Sequence, residues 1–336
     1  MPLADRYGRR PVLAITIAGY TLATFATAFS HGVADFVGYQ FVARIFLGTE
    51  YALATIILVD LLPEGRRGRT LGLVSSMSAF GQAGAGIGFL LVDSANLSWR
   101  LLYLVGIIPL ILVFRARRSL PETVDWRRTS PGRLRNRLAG VSTRWLAGSA
   151  ALSFLFAMFP TAVTTFASTL IKDEWQWDLG DINPVYIAIW VIAISGFFVS
   201  GRLLDAWGRR PTSVVFLSGA AASGLLAFRL SATFGRVSGL ALVIFFLTGS
   251  TPCVAAYSTE PFPARSRGSI GAILRVMNIA GGGAAPALTG LLSDPLGGTG
   301  RALSVIGIAY ALAAAVVLVF LPETRGLAVD TPWEPG

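Results

Sequence analysis

Three charged side chains stand out well inside stretches otherwise apolar enough to cross a bilayer, away from their ends: Arg44 and Glu50 within 37–59, and Arg275 within 269–292. A charge at that depth is costly, so it marks a solute or ion pathway by default. A carboxyl group withdrawn from water holds a proton more readily, which makes Glu50 a candidate proton carrier. An Arg in a cavity favours an anionic solute, because a guanidinium takes a carboxylate through two parallel hydrogen bonds. Six helical residues turn Arg44 and Glu50 about 120° apart. Arg44 shares its face with Gly48, Tyr51 and Thr55, and Glu50 shares one with Phe46 and Ala54. One of the two then meets the solute while the other bonds a neighbouring helix. For each, a structural interhelical charge is the competing reading. Asn278 lies three residues beyond Arg275. A polar stripe follows Pro160: Thr161, Thr164, Thr165 and Ser168 at i, i+3, i+4 and i+7, one face of a helix that Pro160 is expected to kink. Their alternative role is to bond their own backbone. Thr248, Thr251 and Tyr257 form a weaker polar set.

The elements that must carry these residues follow from composition. Of 336 residues, 54% are hydrophobic and only 14% charged, which places the chain in the membrane class. Ten apolar stretches of near-spanning length fall at about 12–30, 37–59, 71–92, 99–114, 145–167, 184–200, 212–230, 237–258, 269–292 and 302–320. Backbone groups in lipid must be satisfied within their own segment, so these are expected to be helices; no alternating pattern supports a barrel. The net charge is +10, and Arg supplies every basic residue except Lys172. Most of them lie in loops on one side of the spans. That asymmetry makes the Arg-rich side cytoplasmic, puts both termini inside, and points to a cell (plasma or inner) membrane. Nucleic acid is not an expected partner. A single Cys253 and a single His31 leave no intrachain disulfide, no Cys/His metal site and no Cys–His dyad; neither a metal nor a cofactor is expected. The N-terminus does not read as a signal peptide. The glycine runs GAGIG (84–88) and GGGAAP (281–286) lie inside apolar spans, where they serve close helix packing and not nucleotide binding.

A second group of residues is organised by repetition. PLADRYGRRP at 2–11 returns as LLDAWGRRP at 203–211, with Asp5, Gly8, Arg9 and Arg10 matched 200 positions later by Asp205, Gly208, Arg209 and Arg210. DLLPEGRRG at 60–68 returns as EPFPARSRG at 260–268, so that Asp60 and Arg67 pair with Glu260 and Arg267. LPET occurs at 120–123 and again at 321–324. Two homologous halves follow, an arrangement found in transporters. The expected domains are a bundle over 1–114, an Arg-rich linker over 115–144, a second bundle over 145–321 and a tail over 322–336. In the linker, GRLRNRLAG (132–140) is either an interfacial helix or a disordered basic loop. Two spans precede the loop motif in the second half and none in the first. The repeat thus leads to the expectation that four plus six helices stand where six plus six are called for, with the first two left out.

The G-x-L-x-D-x-x-G-R-R loops, the acidic-x-x-Pro-x-x-x-Arg-Gly loops and the two Pro-Glu-Thr ends together resemble the signature of the major facilitator superfamily. RIFLGTEYALA at 44–54 is similar to the fourth helix of its metabolite:proton symporter and sugar-porter-like branches. The Gln-Gln pair of true sugar porters is absent from 145–167. The resemblance implies an all-α, two-bundle membrane fold in which the present spans correspond to helices 3–12. It also implies a monomeric, proton-coupled secondary transporter of a small organic solute (an organic acid, a sugar-like molecule or another metabolite), bound between the halves and moved by alternating access. The loop residues Asp5, Arg9, Arg10, Asp60, Arg67, Asp205, Arg209, Arg210, Glu260 and Arg267 would then hold one access state, and the stripe of 161–168 would line the cavity. A non-transporting fragment and an integral-membrane enzyme are the competing functions.

Overall fold

The computed structural model describes residues 9–61, 64–108, 111, 140–176, 179–229 and 233–326. Among these, the helices are α1 (Arg9–Ala28), α2 (Val33–Leu61), α3 (Arg67–Ser94), α4 (Arg100–Val105), α5 (Thr143–Thr169), α6 (Leu179–Ala206), α7 (Arg209–Ala227), α8 (Thr233–Thr259), α9 (Ala264–Leu296) and α10 (Thr299–Phe320). A 3-10 turn (Glu64–Arg66) precedes α3, and a π-helical turn (Leu170–Glu174) prolongs α5. No strand occurs among the described residues. Each expected apolar stretch carries a helix among the described residues, only six residues long in 99–114, while the 115–144 linker falls largely outside them. Among the described residues, four helical segments are long and apolar enough to cross a membrane by length and composition: Pro11–Ala28, Thr143–Phe166, Thr233–Thr259 and Thr299–Phe320. α5 runs on through Pro160.

The chain divides into two units, one drawn from Met1–Leu61, Met77–Ala139 and Ala264–Ala272, the other from Leu62–Ser76, Gly140–Pro263 and Ile273–Gly336. In the first unit α1 packs along α2 and touches α4. Arg100 donates from Nη2 to the Ser30 carbonyl at 2.8 Å, fastening the start of α4 to the chain between α1 and α2. Beside it Phe36, Trp99 and Tyr103 meet edge to face, with centroids 5.8–6.2 Å apart, a geometry that suits the ring quadrupoles.

In the second unit α8 packs against α6 and α7, and α10 against α7 and α5. Its core holds Phe159, Leu217, Ala220, Val243, Leu303, Tyr310 and Val317, all buried. Within an apolar solvent, helices gain little by hiding hydrophobic surface from one another, so close backbone approach through small residues carries the association. The run at 281–286 does this: a Cβ added to Gly281 of α9 would lie 2.0 Å from the Phe154 carbonyl of α5. At 84–88, Gly88 lies close to the Leu102 side chain, whereas Gly84, like Gly283, has nothing within 4 Å.

The contrast gives a matched pair of substitutions. Gly281→Ala is expected to push α9 off α5, destabilising by about 1–3 kcal/mol and lowering the melting temperature in detergent by several degrees. Gly283→Ala meets open space and gains about 0.8–1 kcal/mol of helix propensity, so it is expected to melt at or slightly above the parent.

Candidate functional site

Asp205 lies in the last turn of α6, and its carboxylate reaches the start of α3. The Gly68 amide donates to Oδ1 at 2.8 Å and the Arg69 amide to Oδ2 at 2.9 Å. First-turn amides have no acceptor in their own helix, and the helix dipole is positive there, so a carboxylate satisfies both demands. The approach leaves no room at Gly68, where a Cβ would sit 2.6 Å from Asp205 Oδ1 and 2.8 Å from the Gly201 carbonyl. Two residues then separate α6 from α7. Gly208 makes that turn with φ of 108°, a region only glycine enters freely, and its bare face lies against the Glu323 carboxylate.

The Glu323 carboxylate caps α7 as Asp205 caps α3. Oε1 accepts from the Arg209 amide at 2.8 Å and Oε2 from the Arg210 amide at 2.9 Å. The Arg209 side chain, 3% exposed, forks onto Glu260 at the end of α8: Nε to Oε2 and Nη2 to Oε1, both 2.9 Å. Its Nη1 donates to the Leu204 carbonyl at 3.0 Å and lies 3.7 Å from Asp205 Oδ1. Thr324 Oγ donates to Glu260 Oε2 at 2.6 Å, and Arg325 Nη1 to the Ala206 carbonyl at 2.6 Å. Burial lowers the pKa of the Arg209 guanidinium, but the hydrogen bonds and charge of Glu260, with the charges of Asp205 and Glu323, outweigh it and leave the pKa raised. Two helix starts (α3, α7) and three helix ends (α6, α8, α10) are thereby tied into one buried network within a single unit.

Of the expected loop residues, the structure brings Asp205, Arg209 and Glu260 together directly, with the Arg210 amide. Arg67 and Arg267 are buried near the starts of α3 and α9. Asp5 and the side chains of Arg9, Arg10 and Asp60 lie outside the described residues. Glu323, Thr324 and Arg325 are partners that the loop motifs alone do not reveal, although the repeated LPET pointed at that segment. At the opposite end of the second unit, Glu174 caps α10 by accepting the Thr299 amide and the Gly300 amide, the latter at 3.0 Å. No sequence signal singled it out.

The residues expected along the solute path lie on separate helices. On α2, in the first unit, Arg44 is exposed and Glu50 half-buried, while the Tyr51 side chain lies outside the described residues. On α5, Thr164 Oγ donates to the Pro160 carbonyl at 2.9 Å, the backbone-bonding role held as its alternative. Thr165 is exposed, and Thr161 faces Gly282 of α9. On α8, Thr248 bonds the Phe245 carbonyl at 3.0 Å, and Thr251 lies 3.5 Å from that of Leu247. On α9, Arg275 Nη1 donates to Asn278 Oδ1, whose amide donates to the Ser153 carbonyl of α5, each at 3.4 Å. Arg275, Asn278 and Thr161 thus gather along the α5–α9 contact.

Long apolar helices, duplicated loops and a buried charge network tying helix ends define a polytopic membrane transporter. The chain belongs to the Major Facilitator Superfamily, whose family model matches residues 1–250 and 150–334. It is an integral membrane protein of the transporter class and not an enzyme. It is 26% identical over 98% of its length to a "Probable 4-methylmuconolactone transporter" of Cupriavidus pinatubonensis, of which it covers 78%. It is 22% identical over 98% of its length to "Niacin transporter NiaP" of Acinetobacter baylyi, covering 82%. The fold matches that of the proton:xylose symporter XylE bound to 6-bromo-6-deoxy-D-glucose with a TM-score of 0.84 at 17% identity, over 98% of this chain and 83% of that one.

The buried ion pair allows a test by paired substitution. Arg209→Met strands the Glu260 carboxylate and is expected to destabilise by about 3–5 kcal/mol. Arg209→Met with Glu260→Met removes both charges and is expected to recover most of that loss. The order of melting temperatures in detergent (parent and double variant above the single variant) checks it.

Proposed function

We propose that the protein is a secondary transporter that moves a small organic acid across the cell membrane by alternating access, coupled to protons. The observation that carries the substrate class is Arg275, an exposed guanidinium three turns into α9, oriented by Asn278. An arginine held by a neutral amide keeps most of its donors for an incoming carboxylate. The organic acids among its relatives' named solutes support the same reading. Arg44 of α2 is a second candidate for an anion, and Glu50 is the candidate proton carrier. The Asp205–Arg209–Glu260–Glu323 network acts as the gate: a charge network made in one conformer and broken in the other biases the equilibrium between them by its differential energy. The Arg-rich loops and both termini face the cytoplasm.

Proteoliposomes with an imposed pH gradient test this directly. Uptake of aromatic and aliphatic carboxylates is expected to exceed that of sugars and to collapse with the gradient; sugar uptake alone would overturn the reading. Arg275→Ala is expected to raise the KM for a carboxylate about tenfold, the equivalent of 1.4 kcal/mol, and to leave neutral solutes nearly unaffected. Glu50→Gln is expected to flatten the pH profile of uptake. Asp205→Asn replaces a two-oxygen acceptor with a group that can serve only one of the two α3 amides. It is expected to shift cysteine labelling between access states at near-normal yields of folded protein.

A further inference from the structure

The second unit holds a second pair of arginines, differently arranged from Arg209. Arg144, in the first turn of α5, donates from Nη2 to the Val319 carbonyl; Arg210, in the first turn of α7, donates from Nη2 to the Leu318 carbonyl. α10 packs against both α5 and α7, so the two side chains reach its last turn from its two neighbours and end on consecutive carbonyls. The negative end of the α10 dipole draws both cations there. Dipole and carbonyls supply only partial charge. Arg209 has Asp205 and Glu260, whereas neither Arg144 nor Arg210 has a carboxylate within ion-pair distance among the described residues. The Glu323 carboxylate, which accepts the Arg210 amide, is occupied by the amides of Arg209, Arg210 and Arg325. The Arg210 Nε is buried with no acceptor among the described residues, which leaves its Nη groups to meet a ligand from outside.

The setting of this pair identifies what would neutralise it. α10 is the most apolar of the membrane-length helices, with mean hydropathy 2.6. Its outward face runs through Ile308, Leu312, Val319 and Phe320, exposed by 42%, 54%, 55% and 41%. In an integral membrane protein such a face meets acyl chains, and the last turn of the helix lies where the hydrocarbon gives way to headgroups. Two guanidinium groups at that level, above a lipid-facing strip, match a phosphate that carries its own apolar tails. We propose that Arg144 and Arg210 bind the phosphodiester of an anionic phospholipid, with its acyl chains lying along the exposed face of α10. The remaining N–H donors of the two planar groups suit the oxygens of a phosphate.

Native mass spectrometry of the purified protein in detergent tests the site, using phosphatidylglycerol, phosphatidylcholine of the same chains, and inorganic phosphate. The parent is expected to retain phosphatidylglycerol in preference to phosphatidylcholine. Each Arg lost is expected to weaken that preference about fivefold. Arg144→Gln with Arg210→Gln should therefore abolish it, while Arg229→Gln, an equal loss of charge at the other end of α7, should leave it intact. Undiminished preference in the double variant, or equal loss in Arg229→Gln, would overturn the proposal. Equal thermal stabilisation by inorganic phosphate at the same concentration would overturn the lipid as its source. Should the double variant not fold, Arg144→Gln alone, which alters an exposed side chain, is still expected to lose about fivefold; no loss would count against the site.

Discussion

A helix leaves its first-turn amides without acceptors, and where the start is buried against other helices a partner must be brought in. Among the described residues of the second unit this happens three times, with a carboxylate from a distant part of the chain: Asp205 at the start of α3, Glu323 at the start of α7 and Glu174 at the start of α10. The other features of the network follow from that constraint. Carboxylates withdrawn from water need cations, and Arg209 lies 3.7 Å from Asp205 while forking onto Glu260. Carboxylates pressed against helix starts need space, and Gly68 and Gly208 provide it. The D-x-x-G-R-R loop is therefore a set of answers to one electrostatic demand. Asp supplies the cap, Gly the turn and the clearance, the first Arg the countercharge, and both Arg residues the amides that the next carboxylate accepts.

Neighbouring arginines in that loop lead different lives. Arg209 is buried and surrounded by formal negative charge, so its guanidinium holds its proton more tightly than usual. Arg210 turns the other way, to the carbonyls that close α10. Adjacent residues at the start of a helix point about 100° apart, and here that rotation separates a side chain committed to the protein interior from one left at its edge.

The fold was legible in the sequence because it is dictated by length and apolarity, which are local properties. Each of the ten stretches carries a helix in the described residues, four of them with segments long and apolar enough to cross a membrane and one only six residues long. The loop motifs were legible through their repetition, and Asp205, Arg209 and Glu260 do meet. What the sequence could not disclose was partnership across long separations. Glu260 and Arg209 stand in different loop motifs, 51 residues apart, and neither motif names the other as its partner, yet Arg209 takes the Glu260 carboxylate. Glu323 and Thr324 stood in a repeated motif whose role gave no outward sign. Glu174 had no motif at all, because a capping carboxylate needs only position. The candidate solute residues are a different case. Helical periodicity assigns a face to Thr164 or Arg275, but a hydroxyl that bonds its own preceding turn, as Thr164 does, has the same periodicity as one that meets a solute.

The cap on α7 also bears on how the protein is assembled. Glu323 lies 114 residues beyond the amide it serves, so when α7 first enters the bilayer its acceptor has not yet been synthesised. Thr324 and Arg325 add their contacts to Glu260 and Ala206 at the same late moment. Until then the first turn of α7 depends on water, which is available because that turn lies at the end of the helix and not at its middle. The short segment from Leu321 to Arg325 acts as a closing clasp. The helices it joins are inserted one after another, but their ends become a single charged unit only when the last of them is complete.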